Sequence, residues 1–296
     1  MRLSEAVPLF LSEKKLEGFT PKTLDWYQGC LARFSGYCES DFDLAAIDLP
    51  LLSDYYTYLS GFSLSGNSVQ TYFRGLRVFL SWAFQRGYMP EDLPRLFRLP
   101  KGEYREIVPL SDRELQCLFN AFDFCDVVQL RNFVMCCLMF DSGLRLNEVI
   151  TLCLSSLRLD EGFLVVSGKG KKQRRVPLGS LSVSYLRRYL KFRPCSSSDR
   201  VFVQLSGLPI TFNTCKSVFR RLKISSGIPR LHAHLLRHTF ATRFLDSGGD
   251  IYQLRQILGH TDLSVTMRYL HLSDRRMIET FEGHSPLSRL NIKMPT

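Results

Sequence analysis

The chain of 296 residues contains no apolar run of about eighteen residues, the length a helix needs to span a bilayer. A membrane-spanning helix is therefore not expected. The opening stretch MRLSEAVPLFLSEKK carries Glu5 and Glu13 and lacks a small-residue cleavage site, so it does not read as a secretory signal. Nine cysteines are present, an odd number, with no CxxC pair. Cys136 and Cys137 are adjacent within an apolar helical pattern, where neighbouring cysteines seldom bridge. This usage predicts reduced, mostly buried thiols and a cytosolic setting rather than a disulfide framework. No HExxH motif, internal repeat or long low-complexity tract occurs.

What is present is ordinary for a globular protein, with 45% hydrophobic and 23% charged residues and a length that suggests about two domains. The charge is not evenly placed. Residues 1–100 hold 10 Lys and Arg against 11 Asp and Glu, whereas residues 101–296 hold 29 against 17. The whole net charge of +11 thus belongs to the second part. Two readings fit: a solvated basic surface, or a polyanionic partner, most simply nucleic acid.

The first ninety residues read as helices. Thr20-Pro21 places a cap before a proline at the first helical position, opening a helix to about Cys38. Helical patterns recur over about 50–61 and 67–86, the latter with Tyr72, Leu76, Phe79, Leu80 and Ala83 on one stripe. Pro94 and Pro100 break the pattern. The expected division is a helical domain over 1–97, a linker over 98–108, a second domain over 109–275 and a tail over 276–296. The second domain opens with Ser111-Asp-Arg-Glu114, a capping box, and an apolar helix follows over about 127–141, stopped by Gly143. FLVVS (163–167) and RRVPL (174–178) read as strands joined by a glycine- and lysine-rich turn. Helices are expected over about 211–226, 234–247, 251–258 and 264–270. The fold class is mainly α with a small β-sheet.

Four segments carry candidate chemistry: SGLRLNEV, SGKGKKQRRVPL, HLLRHTFAT and LGHTDLSVTMRYLH. Arg145 follows Gly143-Leu144, and Glu148 lies one helical turn on. The two form either a structural ion pair or an oriented guanidinium, whose planar fork suits a phosphodiester. Lys169 lies at the tip of the expected hairpin among Lys171, Lys172, Arg174 and Arg175. That cluster is either a solvated turn or a groove-binding element, its cations on DNA backbone and Lys169 a general acid with a pKa lowered by its neighbours. His234 and Arg237 share a helical face at i, i+3. His238, at i+4 from His234, raises a two-histidine metal site, but no carboxylate or cysteine nearby completes a ligand set, so no metal is expected. His260 ends a helix after Gly259 and could donate to a phosphate oxygen. Tyr269 is one of twelve tyrosines, set apart because the turn Gly259–Asp262 returns it toward His260, with Arg268 adjacent. A tyrosine nucleophile would conserve bond energy in a phosphotyrosine ester, so rejoining needs no nucleotide cofactor.

Taken together, these segments resemble the tyrosine recombinases, or phage integrase family, particularly its compact Xer-like and mobile-element members. The resemblance spans about residues 5–290. It implies a SAM-like core-binding bundle followed by an α+β catalytic domain, the two clamping DNA as a C shape. It assigns Arg145, Lys169, His234, Arg237 and His260 to catalysis and Tyr269 to the nucleophile, with no cofactor and no metal. Ser142 stands where threonine is more usual. The implied partners are double-stranded recombination sites bound by a homotetramer, or by a heterotetramer with a related recombinase, with a possible accessory DNA-bending factor. The tail 276–296 would pack on a neighbouring protomer. The implied setting is cytoplasmic and nucleoid-associated. Integration, excision and dimer resolution all remain open. So do two other classes: a type IB topoisomerase-like enzyme, and a DNA-binding protein without activity.

Overall fold

The computed structural model describes residues 1–38, 42–100, 107–168 and 173–260, together with 262, 266, 267 and 269. Two compact units emerge, Met1–Glu106 and Ile107–Thr296. Among the described residues no helix is long and apolar enough to cross a membrane. The nine cysteines form no disulfide, and Cys30, Cys38, Cys136, Cys137 and Cys215 are buried.

The first unit is built from α1 (Leu3–Leu16), α2 (Pro21–Cys38), α3 (Leu49–Gly61) and α4 (Gly66–Gln85), with a short α5 (Leu93–Leu96). Side chains cap the starts of α3 and α4. Asp48 accepts from the Leu51 amide at α3, and Ser65 from the Ser68 amide at α4. These bonds satisfy amides that a helix start leaves without partners. The stripe expected on α4 is the buried one: Leu76, Phe79, Leu80 and Ala83 all face inward. They meet Phe10 of α1 and Phe34 of α2, with the Phe10 and Phe79 rings edge-to-face at 5.5 Å. Pro94 lies in the first turn of α5, where its missing amide costs nothing, so the expected break is a short helix.

The second unit centres on α7 (Val127–Asp141), which is buried continuously from Leu130 to Met139. A helix apolar all round must be enclosed, and α9 (Ser180–Phe192) and α11 (Ala233–Asp246) pack against it. The capping box at α6 (Asp112–Asn120) forms as the sequence indicates, Ser111 and Glu114 exchanging bonds. A three-stranded antiparallel sheet joins β1 (Leu157–Arg158), β2 (Phe163–Ser167) and β3 (Gln173–Pro177). The remaining elements are α8 (Leu146–Thr151), α10 (Phe212–Ser225) and α12 (Ile251–Leu258).

Two elements exceed the sequence reading. The serine-rich start SLSVS obscures α9, although Ser182, Leu186 and Tyr189 are buried at i, i+4 and i+7. The two-residue β1 is too short for alternation to register. Of the helix expected over 264–270, Thr266 and Met267 are helical, Tyr269 lies in a turn, and the rest lies outside the described residues. The tail 276–296 also lies outside them.

Gly143 ends α7 and delivers Arg145. Its φ is +64°, and an added Cβ would lie 2.5 Å from the Phe240 ring and 2.8 Å from Leu258. Gly143→Ala should therefore combine left-handed strain of about 1–2 kcal/mol with overpacking of about 1–3 kcal/mol. Gly162, at φ +76° with open space around its Cβ position, carries only the first cost. Denaturation followed by circular dichroism should rank Gly143→Ala clearly below Gly162→Ala in stability. Equal losses would mean that the Phe240 contact yields freely.

Candidate active site

Glu148 is the centre of the site. Its carboxylate is only 7% exposed and sits in the first turn of α8. It accepts from the Arg145 amide at 2.8 Å and from Arg145 Nη1 at 3.1 Å. It also accepts a parallel pair from Arg174, Nη1 at 2.8 Å and Nη2 at 2.9 Å. Arg237 Nη1 stands 3.9 Å away. Burial alone would raise the Glu148 pKa. The bonds from Arg174 and Arg145 and their charges outweigh that, and the net shift is downward from 4.5. The carboxylate is ionised at neutral pH.

Arg145 is the residue just before α8, in extended conformation, with its side chain 36% exposed. Glu148 thus holds one edge of its guanidinium while the rest remains accessible. Arg237 is deeper, at 4% exposure. Its Nη1 donates to the Gly143 carbonyl at 2.5 Å and its Nη2 to the Leu258 carbonyl at 2.7 Å. Burial, then the charge of Arg145, push its pKa down to about 9, which leaves it a cation at neutral pH.

His260 Nε2 lies 3.1 Å from Arg237 Nη2, and its Nδ1 lies 2.9 Å from Thr266 Oγ1. A guanidinium can only donate, so Nε2 accepts. The proton then belongs on Nδ1, which donates to Thr266. Burial, then Arg237, Arg145 and Arg174, push the His260 pKa down to about 4. Its ring is neutral at pH 7 in this state. His234 is exposed on the first turn of α11, and desolvation, Arg237, His232 and Arg145 lower its pKa. His232 caps that helix, its Nδ1 accepting from the Leu235 amide at 2.8 Å.

Tyr269 is partly buried against the Phe240, Ala241, Leu254 and Leu258 cluster. Its amide donates to the Thr266 carbonyl at 3.0 Å, and its ring lies 5.1 Å from the His238 ring. Thr266, fully buried, therefore bonds to both His260 and Tyr269. His238 Nε2 donates to the Ile107 carbonyl at 2.6 Å, so this histidine links the start of the second unit to the tyrosine. Among the described residues no group of three His, Cys, Asp or Glu could hold a metal.

The structure thus brings Arg145, Glu148, Arg237, His234, His260 and Tyr269 into one region. Lys169, Lys171, Lys172 and Arg268 lie outside the described residues. The other two hairpin cations diverge. Arg175 is exposed and stacks over Phe163 at 5.1 Å. Arg174, expected on DNA backbone, points inward to Glu148 instead. Strand alternation carries the signal: Arg174 lies two residues from buried Val176 and opposite buried Val166. Thr266 gave no comparable signal, because its role depends on how the chain returns. Chemically, the arrangement gathers two guanidiniums and two imidazoles in one region with a phenol nearby, which suits an anion whose charge grows during reaction.

A family model described as Phage integrase family matches residues 109–276, and one described as Phage integrase SAM-like domain matches residues 3–98. The chain belongs to the phage integrase family. Among its relatives in this family of tyrosine recombinases is tyrosine recombinase XerC of Xylella fastidiosa. The two are 30% identical over 292 residues, covering 97% of this chain and 98% of the relative. Tyrosine recombinase XerD of Proteus mirabilis is 33% identical over 218 residues, covering 71% and 70%. In fold, the chain is similar to the Tn1549 transposon integrase in complex with a circular intermediate DNA. That match has a TM-score of 0.81 at 17% identity, over 95% of this chain and 99% of that one. XerH recombinase bound to palindromic difH substrate gives 0.73 at 22%, over 91% and 82%.

Removing one partner of a buried ion pair typically costs about 3–5 kcal/mol. Glu148→Gln should therefore be strongly destabilised at pH 7. The folded-state pKa of Glu148 lies below its unfolded value, so its contribution is complete above about 4.5 and is lost as pH falls through the folded value. Denaturation across pH should show the gap between wild type and Glu148→Gln narrowing below 4.5. A constant gap would mean the carboxylate charge contributes nothing.

Proposed function

We propose that the chain is a site-specific DNA recombinase that cleaves and rejoins strands through a 3′-phosphotyrosine formed on Tyr269. The observation that carries this reading is the convergence of Arg145 and Arg237 on one buried carboxylate, with His260 bonded to Arg237 and Tyr269 tied to His260 through Thr266. Arg145 and Arg237 hold the non-bridging oxygens of the scissile phosphate. His260 and His234 donate to the same phosphate. As the Tyr269 oxygen attacks phosphorus and gives up its proton to solvent, the P–O5′ bond breaks and negative charge builds on the equatorial oxygens, where fixed cations stabilise it most. Lys169 protonates the leaving 5′-oxygen; its assignment rests on sequence. Reversal by a 5′-hydroxyl of a second strand rejoins DNA without external energy. Charge stabilisation comes from guanidinium and imidazole groups, so the step requires no metal.

In the free chain His260 Nε2 accepts from Arg237. Donation to a phosphate requires that nitrogen to carry a proton, and an arriving anion between the two groups favours this. The partners are double-stranded recombination sites, engaged by four protomers, either identical or including a related recombinase. The Xer-type relatives and the transposon neighbour support dimer resolution, integration or excision equally. An accessory DNA-bending factor and a nucleoid-associated, cytoplasmic setting belong to this reading. The tail 276–296 packs on a neighbouring protomer in the assembled complex. A type IB topoisomerase-like activity is separated from recombination by product topology.

The test uses a nicked duplex carrying a site selected from random-sequence DNA by the chain's own binding. The nick lets the cleaved end diffuse away and traps the covalent adduct. Wild type should accumulate the adduct, while Tyr269→Phe should bind equally and form none. Arg145→Ala and Arg237→Ala should slow adduct formation by about 10²–10³-fold. An adduct of undiminished yield in Tyr269→Phe would exclude Tyr269 as nucleophile.

Lys169 has a sharper test. A bridging 5′-sulfur leaves as a thiolate and needs no proton. Such a substrate should restore cleavage to Lys169→Ala and leave Arg145→Ala slow. Absence of that selective rescue would move the acid role to another group, His234 first.

A further inference from the structure

Arg174 touches three parts of the site at once. Its fork spans both oxygens of Glu148. Its Nε donates to the Ile257 carbonyl at 2.8 Å, three residues before His260. Its backbone lies on β3, five residues after Lys169. The side chain is 13% exposed. At Gly259, an added Cβ would lie 2.9 Å from Arg174 Nη1 and 3.0 Å from its Cδ and Cζ. The turn before His260 and the start of β3 are therefore built against this one guanidinium, and the glycine leaves room for it.

A carboxylate has about four acceptor positions. On Glu148, two go to the Arg145 amide and Nη1, and two to Arg174. Arg174 thereby neutralises the carboxylate and fixes the plane in which it presents an edge to Arg145. A lysine ammonium, a point charge, cannot reproduce two parallel bonds. We propose that Arg174 is a positioning residue for strand cleavage, which aligns Arg145 through Glu148, rather than a ligand of the DNA backbone. The proposal rests on the tyrosine recombinase reading above.

The experiment compares full-length wild type, Arg174→Lys and Arg174→Gln on the selected nicked duplex, with melting curves recorded for each. Misplacing a reacting group by about 1 Å can cost about 10²-fold in rate. Both folded variants should bind DNA nearly as tightly as wild type. At saturating protein they should form the adduct about 10²-fold more slowly. The 5′-sulfur substrate should not restore the rate, because the defect lies at the phosphate oxygens. The double variant Glu148→Gln/Arg174→Lys should be no slower than the slower single, since both act through one carboxylate.

A folded variant that cleaves at the wild-type rate overturns the proposal. So does a deficit that vanishes at saturating protein with a shallower salt dependence, the behaviour of a phosphate ligand. Loss of fold in both variants would leave Arg174 a purely structural role and overturn it as well. If wild type itself forms no adduct, the recombinase reading fails instead.

Discussion

The carboxylate of Glu148 is the constraint on which the site depends. An ionised carboxylate is costly to bury unless its acceptor positions are filled. Arg145 and Arg174 fill them, one from the residue before α8 and the other from β3. In meeting that local requirement, the chain fixes the start of α8 and the start of β3 to each other. It also leaves one guanidinium edge of Arg145 directed outward, already oriented. In the proposed reaction, preorganisation of this kind means that little rearrangement is needed for the phosphate.

Arg237 plays the complementary part. Its donors to the carbonyls of Gly143 and Leu258 join the end of α7 to the end of α12. The remaining bond, to His260, sets the histidine's proton on Nδ1 and connects through Thr266 to the turn carrying Tyr269. A buried cation with these partners stays charged, and it depresses the basicity of the imidazole beside it. The site is thus a charged floor held by backbone carbonyls and one carboxylate. Tyr269 lies at its border, its ring against that of His238.

Much of this was legible before any coordinates, because it depends on spacing within helices. Arg145 with Glu148, and His234 with Arg237, are separated by one turn and must share a face. The capping box at Ser111 and the buried stripe of α4 were legible for the same reason. What the sequence concealed depends on distant partners. His238 bonds to a carbonyl 131 residues away, and nothing in HLLRHTFAT announces it. Arg174 stood among five cations of one turn, where composition favours a surface role. The strand period, with Val176 inward, pointed the other way, but a cluster of positive charge masked it. Helix α9 was concealed by serines at its start, since its burial arises from packing on α7 rather than from propensity.

The most direct test of the central claim is a crystal structure of the Tyr269→Phe chain with its selected DNA site. The account predicts the scissile phosphate within hydrogen-bonding reach, about 3 Å, of Arg145, Arg237 and a donating His260 Nε2. Glu148 should still be bonded to both Arg145 and Arg174, and the aromatic ring at position 269 should face phosphorus. A phosphate held elsewhere, or an Arg145 that abandons Glu148 to reach it, would contradict the account.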